Sequence, residues 1–357
     1  MKIGIIGLPS SGKSTLFGLL TEDLEKPDYS QGTKPRLRSV KHRDERLERL
    51  RDDYSPKKYT PATLEFLDFP GVASDQHDRS GLADILAPAR EADALIITLC
   101  GFRGEGGEAR HPVLDEWNEA HGELVLADLS VAERRLEKLV AKSRRPNYTD
   151  DDRREHDILI DLVKRLEAEE DVSEAALGPE DVKRINGFGF LTAKPRVTVV
   201  SWDGGTGARG APAELLEALS AVAGGEVLSV SSRNELEILE LPPEERIVFL
   251  EEYGIEAPQK ESVIDAAYRV AGCISFFTAG EKEVRAWTIR QGDTAPQAAG
   301  AIHTDFERGF IRAEVVSFED YVACGSVKSS KEKGLYRLEG REYVMHDGDV
   351  VEFRFSV

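Results

Sequence analysis

The stretch Gly7-Leu-Pro-Ser-Ser-Gly-Lys-Ser-Thr15 follows the apolar run Lys2-Ile-Gly-Ile-Ile6. An apolar strand, a glycine-rich turn and a Lys-Ser-Thr ending leave few folds open. The pattern G-x-x-x-x-G-K-[ST] predicts a strand, a phosphate loop and a helix within an α/β sheet. The loop from Gly7 through Leu8, Pro9, Ser10, Ser11 and Gly12 turns backbone N–H groups inward onto phosphate oxygens. Lys13 places an ammonium on the terminal phosphates, and Ser14 offers a hydroxyl to Mg²⁺. Thr15-Leu-Phe-Gly-Leu-Leu20 reads as the helix behind, whose N-terminal dipole favours anions.

The next apolar run narrows the class. Pro61-Ala-Thr-Leu-Glu-Phe-Leu-Asp68 reads as a strand and ends in Asp68-Phe-Pro-Gly71. Asp-x-x-Gly in this order after a phosphate loop is the second metal and γ-phosphate element of switch GTPases, with Asp68 on Mg²⁺ and the Gly71 N–H on the γ-phosphate. Between the two elements, Thr33 is the candidate for the switch hydroxyl that joins the metal. It is also an ordinary loop threonine.

Composition bounds the rest. A chain of 357 residues suits two or three domains. With 47 Lys and Arg against 66 Asp and Glu, the net charge of −19 argues against a protein that coats nucleic acid nonspecifically, double-stranded DNA included. Cys100, Cys273 and Cys324 lie far apart with no CxxC pair, which suggests neither a disulfide framework nor a zinc site. The chain opens directly on a strand with no signal peptide, and no run approaches the ~20 apolar residues of a membrane span. The expectation is a cytoplasmic monomer without a membrane partner.

Further along, Ala94-Leu-Ile-Ile-Thr-Leu-Cys100 reads as a buried strand. Residues 122–141 and 151–170 read as two charged helices, with Leu124, Leu129, Leu136 and Leu139 on one seam and Ile158, Leu162 and Leu166 on the other. Arg144-Arg-Pro-Asn147 separates them, as in an antiparallel coiled coil. Lys194-Pro-Arg-Val-Thr-Val-Val200 returns to a strand, so the nucleotide domain is discontinuous.

Together with that motif order, several long strings carry a family resemblance: Glu235-Leu-Glu-Ile-Leu-Glu-Leu241, FFTAGEKEVRAWTI at 276–289, TAPQAAGAIHTDFERGFIRAEVVSFEDY at 294–321 and DGDVVEFRFSV at 347–357. The chain resembles the Obg-like ATPases of the YchF type. The resemblance implies a Ras-like α/β domain over 1–120 and 189–270, an inserted helical hairpin over 121–188, and a β-grasp (TGS) domain over 271–357. It also implies slow Mg²⁺-dependent hydrolysis of ATP or GTP, coupled to the ribosome or ribosomal RNA. Lys13 and Gly71 would act on the γ-phosphate, Ser14, Thr33 and Asp68 would organise Mg²⁺, and Ser201, Trp202, Asp203, Ser231 and Ser232 would border the nucleoside. The rival reading is a nucleotide-dependent binding module that barely turns over.

Departures from the family pattern matter as much. Ser201-Trp-Asp-Gly204 stands where the family has Asn-x-x-Glu, so the base-reading carboxylate is missing. Asp203 lies one position early, and Trp202 suits either stacking on a base or packing on its own protein. Ser10 replaces the usual Asn that ligates K⁺ in related enzymes. Val72 follows Asp-x-x-Gly, as apolar residues do in the family, and cannot orient a water. His77 is the histidine in the following loop. Between Lys34 and Lys58 ten Lys or Arg face five acids, a basic stretch that suits either RNA or a solvated helix. From Ala271 onward eleven Lys or Arg face fourteen acids, with a cluster at Lys328, Lys331, Lys333, Arg337 and Arg341.

Overall fold

A computed structural model describes residues 1–23, 35–69, 86–101, 113–172, 177–202, 210–253, 255 and 258–356. In chain order the elements are β1 (Lys2–Ile6), α1 (Lys13–Thr21), β2 (Arg36–Lys41), α2 (Glu45–Tyr54), β3 (Tyr59–Thr60), β4 (Thr63–Asp68) and β5 (Ala94–Cys100). Then come α3 (Val113–Ser143), α4 (Asp150–Glu167), α5 (Pro179–Ile185), β6 (Arg196–Ser201), α6 (Ala213–Ala223), β7 (Glu226–Val230), α7 (Ser232–Leu239), α8 (Pro243–Glu252) and α9 (Lys260–Val270). The rest are β8 (Cys273–Ala279), β9 (Val284–Arg290), α10 (Ala295–Ile302), α11 (Thr304–Arg308), β10 (Phe310–Val316), α12 (Phe318–Cys324), α13 (Val327–Glu332), β11 (Arg337–Glu339) and β12 (Val350–Phe355).

The chain divides into two compact units, one of Met1–Arg38 with Glu65–Ala267, the other of Ser39–Leu64 with Tyr268–Val357. The first is built on a sheet of order β2-β4-β1-β5-β6-β7. Its pairings β4–β1, β1–β5, β5–β6 and β6–β7 are all parallel. Strands covered on both faces read as continuous apolar runs, and the burial follows: Ile3, Ile5, Leu95, Ile96, Ile97, Val197 and Val199 are all fully buried.

The two expected helices are α3 and α4. The first starts before residue 122, because Val113, Trp117 and Ala120 extend its apolar stripe into the core beneath β5. Leu129, Leu139, Ile158, Leu162 and Leu166 form the seam of the hairpin. A capping box closes the start of α4, where the Thr149 hydroxyl accepts from Asp152 N–H and the Asp152 carboxylate accepts from Thr149 N–H. Asp128, buried on α3, anchors the returning chain by accepting from Arg90 at 2.6 Å and from the N–H groups of Leu191 and Thr192.

The second unit holds a sheet of order β11-β10-β12-β8-β9-β3. One face carries α10 through Ala295, Ala298 and Ala299 against Phe276, Ile289, Val315 and Phe353. The other face is covered by Leu47 and Leu50 of α2, which meet Phe277, Val284, Ala286 and Val350. β3 adds a parallel edge strand, Tyr59 opposite Val284. The segment assigned from sequence to the nucleotide domain thus supplies a helix and a strand to the C-terminal sheet. The helix that was one of the two readings of the Lys34–Lys58 stretch is α2, and its apolar side is core.

Candidate functional site

The phosphate loop joins β1, central in the parallel sheet, to α1. Loops that leave the carboxyl ends of central parallel strands are where such sheets bind ligands. Gly7 has φ +151°, and a Cβ there would meet the Thr98 carbonyl oxygen at 2.4 Å. A backbone atom cannot retreat, so only glycine fits. Gly12 caps α1 in the left-handed region at φ +93°, and Ser10 sits there too at φ +63°, a conformation that costs a non-glycine residue about 1 kcal/mol or more. Pro9 and Ser10 are exposed at the tip, while Leu8 and Ser11 are buried and Ser14 and Thr15 are half-buried.

Lys13 is 5% exposed and its Nζ donates to the Leu8 carbonyl at 2.6 Å. Burial pushes its pKa down from 10.5 to about 8, against the opposing pull of Asp68 and Glu116. An ammonium held dry at that cost is matched by an incoming anion. The Ser11 hydroxyl is fully buried and makes no hydrogen bond among the described residues. Loop shape, buried cation and the unsatisfied hydroxyl beside Gly7 all fit a polyphosphate.

Asp68 ends β4, parallel to and paired with β1, and is fully buried. A carboxylate is a hard oxygen donor of the kind a divalent cation takes. Arg36 Nη1 stands 3.9 Å from Asp68 Oδ2. At the far side of the sheet, Ser201 closes β6 and Ser232 opens α7. Both are buried, and their hydroxyl oxygens lie 3.2 Å apart. Ser231 caps α7 without a side-chain hydrogen bond to the helix. The half-buried Trp202 packs on the core below the sheet edge and leans on Gly101, where a Cβ would meet its ring at 2.6 Å. The ring is therefore a packing element of the sheet edge.

Thr33, Gly71, Val72, His77 and Asp203 lie outside the described residues. Among the described residues, two groups at the site carry no motif in the sequence. One is Arg36. The other is Glu116, buried in the first turn of α3, which accepts from Cys100 N–H at 2.8 Å and acts electrostatically on Lys13. Its sequence position gave no signal, because the helix expected over 122–141 in fact begins at Val113 and places Glu116 in its first turn. The basic stretch is largely paired: Arg38 with Asp23, Arg43 with Glu48, Arg46 with Asp44 and Asp347, Arg49 with Asp53, and Lys58 with Glu283. In the C-terminal cluster Lys331 bridges to Glu314, Arg337 to Glu339, and Arg341 donates to the Phe310 carbonyl. Among the described residues, no group of three or more His, Cys, Asp or Glu could hold a metal by itself, and no helix is long and apolar enough to cross a membrane.

Comparison with known proteins accounts for both units. A family model described as "50S ribosome-binding GTPase" matches residues 2–127. A second, YchF-GTPase_C, described as "Protein of unknown function (DUF933)", matches residues 273–356. The chain is 37% identical to the Ribosome-binding ATPase YchF of Haemophilus ducreyi, covering 100% of this chain and 99% of that protein. It is 37% identical to the protein of the same name from Bacillus subtilis, over 99% of both. It is 33% identical to Obg-like ATPase 1 of Caenorhabditis elegans, over 100% of this chain and 92% of that one. The solved structure of the Schizosaccharomyces pombe YchF GTPase superposes with a TM-score of 0.78 at 26% identity, covering 99% of this chain and 97% of that one. Full-length identity at this level, with the phosphate loop folded as its motif requires, shows that the chain belongs to the YchF/Obg-like ATPase family.

Proposed function

We propose that this chain is a Mg²⁺-dependent purine nucleoside triphosphatase that works in association with the ribosome. The observation that carries the reading is Lys13: a buried ammonium with depressed pKa, set in a loop that only glycine can form at Gly7. Its relatives named as ribosome-binding ATPases share its whole length. When bound, Mg²⁺ would neutralise charge on the terminal phosphates, with Ser14, Thr33 and Asp68 as the residues to hold it. Lys13 would leave the Leu8 carbonyl for the β- and γ-phosphates, and loop N–H groups would orient the chain of phosphates. Gly71 would offer its N–H to the γ-phosphate. Asp203 would stand near the base, beside Ser201, Trp202, Ser231 and Ser232.

The Ser201–Ser232 pair favours loose base selection, because the two hydroxyls serve one another and neither is a bidentate acceptor. A panel of ATP, GTP, CTP and UTP, for binding and turnover with and without ribosomes, tests the reading. Tight Mg²⁺-dependent binding of ATP or GTP with slow turnover supports it. Binding without turnover under every condition would favour a nucleotide-gated adaptor.

A further inference from the structure

The hairpin of α3 and α4 continues past the core beneath β5. Ala127 is the last residue of α3 in that core, and from Leu129 onward its buried side chains meet α4 and the chain that follows it. Ser143, at the end of α3, lies about 24 Å beyond Ala127 at ~1.5 Å per residue. Between Glu133 and Thr149, six Lys or Arg face two acids, Glu133 and Glu137, in a chain of net charge −19. The acids that folding brings to this end have their own partners. Asp152 takes Lys142 at 2.6 Å, Glu155 takes Arg135 at 2.6 Å, Asp150 takes Arg153 at 3.3 Å, Asp151 takes Arg184 at 2.7 Å, and Asp181 takes Arg154. Arg134, Lys138, Arg144 and Arg145 are exposed, and none of their side chains has an ion pair or hydrogen bond among the described residues. Arg134 and Lys138 stand one turn apart on the side of α3 opposite Leu136 and Leu139. Like charges at that spacing repel, so the pair does nothing for the helix itself. Arg144 and Arg145 follow in the turn beyond α3.

We propose that the tip of the α3–α4 hairpin docks on the RNA backbone of the ribosome, with Arg134, Lys138, Arg144 and Arg145 as its phosphate contacts. Three of the four are Arg, whose planar fork takes two phosphate oxygens at once. A protein partner would meet an apolar centre with charge kept to the rim. At this tip the exposed large apolar side chain is Val140 alone, set among the cations. The negative balance of the whole chain does not cancel the patch, because charges more than about 8 Å away are largely screened at physiological salt. The inference rests on the ribosome association proposed above, and adds which surface makes the contact and by what chemistry.

The test is a salt series of full-chain binding to ribosomes, by co-sedimentation, and to ribosomal RNA stripped of protein, by fluorescence anisotropy. One variant combines Arg134→Gln, Lys138→Gln, Arg144→Gln and Arg145→Gln. A second replaces the three arginines by Lys. The neutral variant should bind both targets at least about tenfold more weakly near ~0.1 M salt, and its slope of log Kd against log salt should fall by about 3, at roughly 0.7–0.9 per lost contact. The Lys variant should keep the wild-type slope. If the fourfold variant fails to fold, Arg144→Gln with Arg145→Gln, both in the turn, carries the test with about half the change in slope. Unchanged affinity and slope in a folded neutral variant, with wild type binding ribosomes, overturns the inference alone. Weakened binding to ribosomes with unchanged binding to stripped RNA overturns the assignment to RNA and puts a ribosomal protein against the tip. A wild type that does not co-sediment with ribosomes in any nucleotide state overturns the ribosome reading, and the inference with it.

Discussion

Replacing Lys13 by Met separates what the site costs the fold from what it gives the ligand. The side chain is buried and its pKa falls from 10.5 to about 8, chiefly through desolvation. A depression of that size corresponds to about 3 kcal/mol of destabilisation of the ammonium at pH 7. Met fills nearly the same volume and carries no charge. The nucleotide-free variant should therefore be as stable as wild type or up to about 3 kcal/mol more stable at pH 7. The sign with pH follows. The folded pKa lies below the unfolded one, so the wild-type penalty is full below pH 8 and vanishes as pH rises to 10.5. The advantage of the variant should shrink over that window. Triphosphate affinity should fall at least about a hundredfold, or ~2.7 kcal/mol. Urea unfolding without nucleotide at pH 7 and pH 10, with calorimetric titration of Mg²⁺-ATP, checks both halves. A Met variant about 2 kcal/mol less stable than wild type, or one binding ATP normally, would refute the reasoning.

Four further outcomes are expected. Glu235 is buried with its pKa raised to about 7 by desolvation, and it accepts from Gln259 N–H at 2.9 Å. Glu235→Gln should stabilise the protein at pH 8 by up to about 3 kcal/mol, with the gain gone near pH 4.5 in a denaturation series. Leu47→Ala removes a fully buried side chain of α2 and should cost about 2–5 kcal/mol. Hydrogen exchange should show protection falling in β8 and β9 while β1 and β5 keep theirs. Competition titrations should show ATP and GTP differing by less than about tenfold, ~1.4 kcal/mol. Turnover in K⁺ and Na⁺ at equal ionic strength should be alike, since Ser10 has one short-reaching oxygen where an Asn would reach an ion.

The legible parts of the sequence were those with local grammar. The loop from Gly7 to Thr15 spells out its own geometry, and the strand expected over 94–100 is β5. The expected strand ending at Asp68 is β4, beginning at Thr63. The hairpin was visible in its leucine spacing, with its start displaced furthest, by the apolar residues before 122, and its second helix ending at Glu167 instead of 170. What was hidden depends on distant partners. Leu47 and Leu50 sit at a spacing that any surface helix could show, and the residues they cover, Phe277 and Val284, come more than 200 positions later. Arg36 belongs to no motif, because its meaning lies in two carboxylates that folding brings to it, one of them at 3.9 Å. Charge counted along the Lys34–Lys58 stretch left RNA and a solvated helix equally open, because such a count does not include the acids that folding sets opposite, Asp23, Asp347 and Glu283 among them.

The most direct test of the central claim is a paired measurement on the intact chain. ATP hydrolysis is followed with and without ribosomes, and ribosome co-sedimentation is compared in a non-hydrolysable ATP analogue, in ADP and without nucleotide. The account predicts slow intrinsic turnover that depends on Mg²⁺ and Lys13, and co-sedimentation that changes with the nucleotide supplied. Turnover that survives Lys13→Met, or ribosome binding identical in all three nucleotide conditions, would contradict it.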